Sequence, residues 1–257
     1  MRASRDQRIL QEVLSVGGLS VDELARRLDV SSATVRRDLA ALEKQGLLRR
    51  TRGGAAPVEP IHDDLFIHDS SFHEQMRMHT PEKRRIALAA ADLVQEGDTI
   101  ALTSGTSTAL VARSLRHRKN IMVVTNTVNT ALELSQREGI SVLVTGGYLR
   151  GNWFSMVGPT ALQTIRWINF DKVFVSLNGI DPVRGLSANN EDEAAVNRAM
   201  IDRSLTKIAV LDSSKFGKIS KAVICPASLM DVLITDEGAG DAVVAPYREM
   251  GIRVVRV

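Results

Sequence analysis

The chain has 257 residues, of which 44% are hydrophobic, so it is long enough for two domains and can bury a sizeable core. Its formal net charge of +3 is unevenly distributed. Residues 1–56 hold 11 basic and 7 acidic side chains, whereas the remainder holds 22 basic and 23 acidic ones. We therefore expect only the first part to bind a polyanion. One cysteine, Cys225, excludes an internal disulfide framework, and the absence of a secretory leader pattern or an apolar run of ~20 residues predicts a cytoplasmic protein with no membrane span.

The first predicted elements in chain order are two helices. Apolar residues in helical phase predict a helix over about residues 5–16, which ends at a Gly-Gly pair. Ser20 and Glu23 have the spacing of a capping box, which predicts the start of a short helix over residues 21–28. Ser31 and Ser32 follow after a short turn and are good N-cap residues for a third helix. This spacing is that of a helix-turn-helix.

The third helix has an apolar stripe and a basic outer face. Val35, Leu39 and Leu42 recur at spacings of four and three and predict the buried side. The arginine-rich stretch that follows, over residues 47–54, predicts a short hairpin, or wing. Hydroxyl and guanidinium groups bond to base edges and to phosphates, so we predict a DNA-binding surface. Its members are Ser31, Ser32, Thr34, Arg36, Arg37, Arg50 and Arg52. The alternative is a small helical bundle with a solvated charged face.

The stretch over residues 57–81 has a weaker pattern and predicts an extended connector. Pro57, Pro60 and Pro81 lie in it, among acidic and serine residues. It also contains four histidines, His62, His68, His73 and His79, whose spacings match no compact set of metal ligands, so we predict no metal site. The predicted division is a DNA-binding domain over 1–56, the connector over 57–81 and a second domain over 82–257.

From residue 82 onward, helical patterns alternate with short β-rich runs. Such alternation predicts βαβ units and a mostly parallel α/β sheet covered by helices. The runs cover residues 99–102, 121–124, 142–144, 173–176, 208–211, 232–234 and 252–255.

Polar residues follow most of these runs and predict a ligand crevice at the carboxyl edge of the sheet. Residues 104–108, Ser-Gly-Thr-Ser-Thr, have the composition of a phosphate cradle before a helix over 109–115, but lack both the Walker ending and Gly-x-Gly-x-x-Gly. Lys215 supplies a charge for a sugar phosphate, and Asn126, Asp181 and Glu193 can bond to sugar hydroxyls. For Asp181 and Asp212, turn or helix capping is an equal alternative.

Several of these motifs, in this order, resemble the DeoR type of transcriptional regulator over almost the whole chain. The matching segments include Thr34-Val35-Arg36-Arg37-Asp38-Leu39, Arg50-Thr51-Arg52-Gly53-Gly54, Ser104-Gly105-Thr106-Ser107-Thr108, Val124-Thr125-Asn126, Gly179-Ile180-Asp181 and Asp212-Ser213-Ser214-Lys215-Phe216-Gly217. The resemblance implies a winged helix-turn-helix joined to a sensor domain similar in fold to ribose-5-phosphate isomerase. It also implies a repressor of carbohydrate or polyol catabolic genes, whose operator affinity a phosphorylated sugar or polyol controls.

Residue by residue, the resemblance assigns the effector site to Ser104, Gly105, Thr106, Ser107, Thr108, Asn126, Gly147, Asp181, Glu193, Asp212 and Lys215, and gives Lys83 an influence on the response. The chain departs from the family pattern at Thr103, where an acid is usual, at Ser107, where a threonine is usual, and at Gln75, where an arginine is common. We predict no cofactor and no catalytic residue. Paired recognition helices match operator symmetry, which predicts a homo-oligomer, a dimer or a tetramer, on double-stranded DNA.

Two other functions remain open from the sequence. An isomerase needs a carboxylate base and groups that stabilise an enediolate. Asp181, Glu193 and Lys215 fit those roles, although Asn178-Gly179-Ile180-Asp181 holds one acid where the isomerase loop holds a pair. The second alternative is an oligomerisation domain with an empty crevice.

Overall fold

The computed structural model of the protein describes residues 2–44, 47–57 and 70–257. The chain divides into two compact units, Met1–Asp64 and Leu65–Val257. Within the described ranges no helix is both long and apolar enough to cross a membrane. His62 and His68, together with most of the predicted connector, lie outside the described residues.

The first unit is the predicted winged helix-turn-helix. Its helices are α1 (Arg2–Val16), α2 (Val21–Leu28) and α3 (Ser32–Lys44), and its strands are β1 (Leu19–Ser20), β2 (Arg49–Thr51) and β3 (Gly54–Ala56). The strands form an antiparallel sheet in the order β1-β3-β2. The predicted capping box is present, since the Glu23 amide donates to Ser20 Oγ and the Ser20 amide donates to the Glu23 carboxylate. These caps begin α2 where the sequence predicts it.

One core holds these elements together. Val35, Leu39 and Leu42 of α3 are fully buried against apolar residues of α1, α2 and the wing. Asp38 is also buried, and Arg5 of α1 donates to its carboxylate at 2.7 Å. This ion pair fixes α1 against α3 one residue after the exposed arginines of α3, and sequence reasoning did not find it.

The wing depends on a close approach between β3 and β1. A Cβ atom on Gly54 would collide with the carbonyl oxygen of Leu19. We expect Gly54→Ala to lower the free energy of unfolding of the first unit by about 3 kcal/mol, because backbone must shift to make room. Urea unfolding of the full-length protein measures this. Gly53→Ala is the matched control, since Gly53 has φ +90° but open space around it, and should cost only about 1 kcal/mol. Equal losses for the two variants would contradict the collision.

The second unit contains a seven-stranded, all-parallel sheet. In chain order its strands are β4 (Thr99–Leu102), β5 (Ile121–Thr125), β6 (Ile140–Val144), β9 (Phe170–Val175), β12 (Ser204–Val210), β14 (Val232–Thr235) and β15 (Arg253–Arg256). The spatial order is β15-β14-β12-β9-β4-β5-β6. Each strand overlaps one of the seven predicted β-rich runs, and the runs over 173–176, 208–211 and 252–255 each extend one residue beyond their strand. The predicted α/β class is confirmed.

Helices cover both faces of this sheet. The helices are α4 (Ser70–Arg77), α5 (Thr80–Asp92), α6 (Thr106–Ser114), α7 (Val128–Ser135), α8 (Pro159–Arg166), α9 (Glu191–Asp202) and α10 (Asp241–Glu249). Alternate strand residues serve separate cores, since Ile100 and Leu102 of β4 pack with α5 and α6, whereas Ala101 packs with α8 and α9.

Two predicted features need correction. The connector is not extended as far as Pro81, because α4 occupies residues 70–77 and α5 begins at Thr80. The helix predicted over 109–115 begins three residues earlier, since Gly105 is the N-cap of α6. The seven predicted runs do not include the small antiparallel pieces, which are the hairpin β7 (Tyr148–Arg150) and β8 (Ser155–Val157), and the sheet of β10 (Gly179–Asp181), β11 (Gly185–Ala188) and β13 (Ala222–Cys225).

Candidate functional site

The N-terminus of α3 carries the hydroxyls of the predicted DNA-binding surface. Ser31 is the cap, because its Oγ accepts from the Thr34 amide at 3.2 Å and lies 2.9 Å from Thr34 Oγ1. Ser32 is the first residue of α3, and its Oγ donates to Asp22 Oδ1 of α2 at 3.0 Å. The bond between Ser32 and Asp22 joins the two helices of the motif, and the outer face of α3 is left to its arginines.

Four predicted arginines are exposed on this unit. Arg36 and Arg37 lie on α3, Arg50 lies on β2, and Arg52 lies in the turn after it. Within residues 2–44 and 47–57, no ion pair occupies the guanidinium of Arg36 or Arg37. The Arg50 amide donates to the Glu43 carboxylate at 3.1 Å, which ties the wing to the end of α3. The outer face of α3 therefore presents positive charge that no ion pair within these residues neutralises, as contact with DNA phosphates requires.

A polar cleft lies at the carboxyl edge of the parallel sheet in the second unit. The loops after β4, β9 and β12 contribute to it, together with residues of α4, α5, α9 and the β7–β8 hairpin. Six predicted effector residues line this cleft: Ser104, Gly105, Thr106, Ser107, Glu193 and Lys215. The structure thus brings the predicted cradle and two predicted charged residues into one place.

The start of α6 forms an anion-binding geometry at this cleft. Gly105 is the N-cap, and no side chain caps the helix there, so the first-turn amides have no partner within the helix. These amides are the positive end of the helix dipole. Gly105 has φ +147°, and a Cβ atom on it would collide with the Ser176 side chain. Only glycine therefore fits where the end of β9 meets the start of α6.

Three cations line the same cleft, namely Lys83, Arg150 and Lys215. Burial lowers the pKa of Lys83 to about 8, although Asp212 opposes this shift. Burial also lowers the pKa of Lys215, again opposed by Asp212. Arg150 Nη1 lies 3.0 Å from the carboxylate of Glu193. An anion that enters the cleft would stabilise the charged form of both ammonium groups and so offset the free-energy cost of burying them.

Hydrogen-bonding groups surround the charges. Glu193 is largely buried, and its Oε1 accepts from Ser155 Oγ at 2.6 Å, which links α9 to the hairpin. Asn197 Oδ1 is buried without a partner in the described chain, although Asn197 lines the cleft. Unpaired buried polar atoms are costly, so this amide is available to a ligand.

The other five predicted effector residues do not line the cleft. Thr108 Oγ1 donates to the Gly105 carbonyl, and Asn126 Nδ2 donates to the Met156 carbonyl at 3.2 Å. Asp181 accepts from the amides of residues 183 and 184, which is the turn-capping alternative considered for it. Gly147 packs closely on the carbonyl of Val157. Asp212 caps the turn at Ser214 and lies 4.0 Å from Lys83 Nζ, so it acts on the cleft through that lysine.

Several lining residues were not proposed as effector ligands from the sequence. They include Gln75, Arg150, Trp153, Ser176, Asn178, Asn189, Asn190 and Asn197. Gln75 and Lys83 drew attention only through the family resemblance. Thr103, where an acid is usual, has its Oγ1 accepting from the Ser176 amide at 2.9 Å, so it joins two strand ends and is buried. The described residues contain no group of three or more potential metal ligands.

Known proteins match the chain in sequence along nearly its full length. A model of the DeoR-like helix-turn-helix domain matches residues 5–60, and a model of the DeoR C terminal sensor domain matches residues 78–237. A putative aga operon transcriptional repressor of Escherichia coli O157:H7 is 36% identical and covers 99% of this chain and 94% of its own. The glycerol-3-phosphate regulon repressor of Escherichia coli K12 is 31% identical and covers 91% of each chain. These relatives are transcriptional regulators, not enzymes.

Among solved structures, ribose 5-phosphate isomerase from Plasmodium falciparum matches with a TM-score of 0.38 and 18% identity, over 52% of this chain and 51% of that one. The eIF2B beta subunit from Chaetomium thermophilum matches with a TM-score of 0.43 and 15% identity, over 60% and 48%. Because both TM-scores are below 0.5, the fold class is taken from the winged helix-turn-helix and the seven-stranded parallel sheet themselves.

Proposed function

The chain belongs to the DeoR family of transcriptional regulators, and from that premise we propose that it is a repressor of carbohydrate or polyol catabolic genes controlled by a phosphorylated sugar or polyol. Residues 1–56 bind the operator, and residues 82–257 bind the effector. The protein acts as a homo-oligomer, since one recognition helix reads only a half-site of a symmetric operator.

The observation that carries the effector proposal is the concentration of anion-binding groups in one cleft. The free amides at the start of α6 meet Lys83, Lys215 and Arg150 there. A helix N-terminus and converging cations are a binding site for a phosphate group. The two carboxylates nearest these cations are Glu193, which accepts from Ser155 and pairs with Arg150, and Asp212, which lies 4.0 Å from Lys83 and does not line the cleft, so the cleft remains suited to a dianion.

The remaining lining groups fit the polyol part of such a ligand. Asparagine side chains both donate and accept, as neighbouring hydroxyls require, and four of them line the cleft: Asn178, Asn189, Asn190 and Asn197. The relatives named for an aga operon and a glycerol-3-phosphate regulon support an effector from carbohydrate or polyol metabolism.

The test is a titration of operator binding with a panel of phosphate esters. Glycerol 3-phosphate, ribose 5-phosphate and fructose 6-phosphate are compared with their unphosphorylated parents and with inorganic phosphate at constant ionic strength. We expect at least one ester to change operator affinity while its parent does not. A wild-type protein whose operator binding ignores every ester would refute the effector assignment but not the DNA-binding one.

Effector affinity should depend on pH through Lys83. The pKa of Lys83 is lowered to about 8, and a phosphate dianion favours its protonated form. Binding is therefore strongest below that pKa and weakens by up to about tenfold per pH unit above it, until the pKa of the complex is reached. Calorimetry between about pH 7 and pH 9, where the ester stays dianionic, measures this. Lys83→Met should bind weakly with a flatter profile, and an unchanged profile would exclude Lys83 from contact with the phosphate.

A further inference from the structure

Helix α4 packs against the effector cleft through a small aromatic cluster. Phe72 is buried, and its ring meets Phe154 edge to face at 5.5 Å and Trp153 at 6.3 Å. His73 makes a similar contact with Phe154 at 6.3 Å. Ala109 of α6 completes the cluster, so α4 contacts the helix that begins at the phosphate cradle. We call these contacts the α4 dock.

The second anchor of α4 is Lys83 of the neighbouring helix α5. Lys83 Nζ donates to the backbone carbonyl of Gln75 at 2.6 Å. The Lys83 side chain is only 2% exposed, and Asp212, at 4.0 Å, is beyond hydrogen-bond distance. In the part of the chain that the structure describes, the bond to Gln75 is thus the hydrogen bond that this buried ammonium makes. An ammonium group has three N–H donors, so Lys83 Nζ, with one carbonyl partner, retains donors for an anion.

Both anchors also belong to the wall of the cleft. Gln75, Lys83 and Trp153 line it, and each takes part in holding α4. If α4 left the dock, the cleft would lose Gln75 and the support of Trp153, and Lys83 would lose its partner. A ligand in the cleft therefore contacts the docked arrangement better than the undocked one, and such a difference shifts the population toward docking.

The position of α4 in the chain gives this coupling a direction. Among the described residues, α4 is the first element of the second unit, and residues 58–69 separate it in the sequence from the wing of the DNA-binding unit. A change in the position of α4 therefore moves the part of the second unit that is nearest in the sequence to the DNA-binding unit. We propose that α4 is the switch element of this regulator: effector binding stabilises the α4 dock, and through α4 it alters operator affinity. This inference rests on the proposed function, because it requires that an ester occupy the cleft.

Trp153 reports both on the α4 dock and on occupancy of the cleft that it lines, so its fluorescence quenching is compared between the wild-type side chain and the Phe72 variants described below. Trp153 is in the α4 dock, whereas Trp167 is 84% exposed, so Trp167→Phe leaves Trp153 as the only reporter without disturbing a buried contact. In this background, acrylamide quenching of Trp153 is measured with each ester of the panel and with inorganic phosphate. We expect quenching to fall with those esters that change operator binding and to stay constant with the others.

Removal of the aromatic anchor should uncouple the switch. If Phe72→Ala reduces the docked fraction to about a tenth, ester affinity falls about tenfold, because only the docked fraction is competent. Quenching of Trp153 should rise without ester, and the response of operator binding to ester should be lost. Phe72→Leu, which keeps an apolar side chain, should show an intermediate effect and remains usable if the alanine variant does not fold.

The matched control is Phe170→Leu, which disturbs a buried phenylalanine at the start of β9, on the sheet edge opposite the cleft. It should lower stability but keep the ester response. An ester that changes wild-type operator binding without changing Trp153 quenching would overturn the switch, as would wild-type ester affinity and response in Phe72→Ala. If no ester changes operator binding in the wild-type protein, the proposed function fails first, and the switch fails with it.

Discussion

We expect Gly105→Ala to abolish the effector response while leaving operator binding in the absence of effector intact. Gly105 has φ +147°, a conformation that side chains rarely adopt, and an added Cβ would collide with Ser176. The start of α6 must therefore move away from the end of β9, and the amides that meet the phosphate move with it. A loss on the order of a hundredfold in ester affinity corresponds to about 2.7 kcal/mol, which displacement of several charge-assisted bonds readily supplies.

The matched control for this variant is Gly97→Ala. Gly97 also has a positive φ, +91°, and it precedes the same strand, β4, but a Cβ atom there meets nothing within 4 Å. It carries the conformational cost of a positive φ without a collision and lies at the amino edge of the sheet, away from the cleft. Calorimetry with an active ester and an operator titration compare the two. A Gly105→Ala protein that responds like the wild type would refute the placement of the phosphate at α6.

The sequence predicted the sheet well because its signals are local. The buried part of each parallel strand is β-rich, so a run was recognisable in all seven, although the more polar starts of β9 and β12 were missed. The polar residues that follow the runs lie at one edge of the sheet because the strands are parallel. The same holds for the caps at Ser20 and Ser31, where the bonded partners are three residues apart. Features set within a few residues were therefore predictable.

The composition of the cleft was less predictable because it depends on pieces with little local signal. Arg150 and Trp153 come from a hairpin whose strands have three residues each, too short for a period to show. Asn126 follows β5 as predicted, but the carbonyl of Met156, in the second strand of the same hairpin, accepts the hydrogen bond from its side-chain amide. The family resemblance named Asp212, yet its role behind Lys83 needs the approach of two segments that are distant in the sequence.

Helix α4 was missed for a related reason. Prolines on both sides of it and nearby acidic residues predicted an extended connector. Its apolar residues Phe72 and Met76 are four apart, which is helical spacing, but eight residues give a single repeat of that spacing. The helix is stabilised by the aromatic cluster with Trp153 and Phe154. This tertiary contact joins residues about 80 positions apart in the sequence, so local sequence patterns cannot predict it.

The double substitution Arg36→Ala with Arg37→Ala should reduce operator affinity by at least about a hundredfold. Both side chains are exposed on α3. An arginine contact that reads a base contributes about 1–3 kcal/mol to binding, and one that binds phosphate contributes through counterion release. The cap and the buried side of α3 are formed by other residues, so we expect the double variant to fold. An unchanged free energy of unfolding in urea is the check. Arg184→Ala, which removes an exposed arginine from the second unit, is the control and should bind like the wild type.

Single variants then separate the two kinds of contact. A side chain that binds phosphate should, when removed, weaken binding to all sequences and lower the slope of affinity against salt by about 0.9. One that reads a base should leave the slope nearly unchanged and relax the preference at one position of the operator. The measurement is binding to operator and to unrelated duplex over a salt series. If the double variant retained wild-type affinity and slope, α3 would not be the recognition helix. Apart from Arg36 and Arg37, the only cation in α3 is Lys44, at its C-terminal end, and it could not replace the pair.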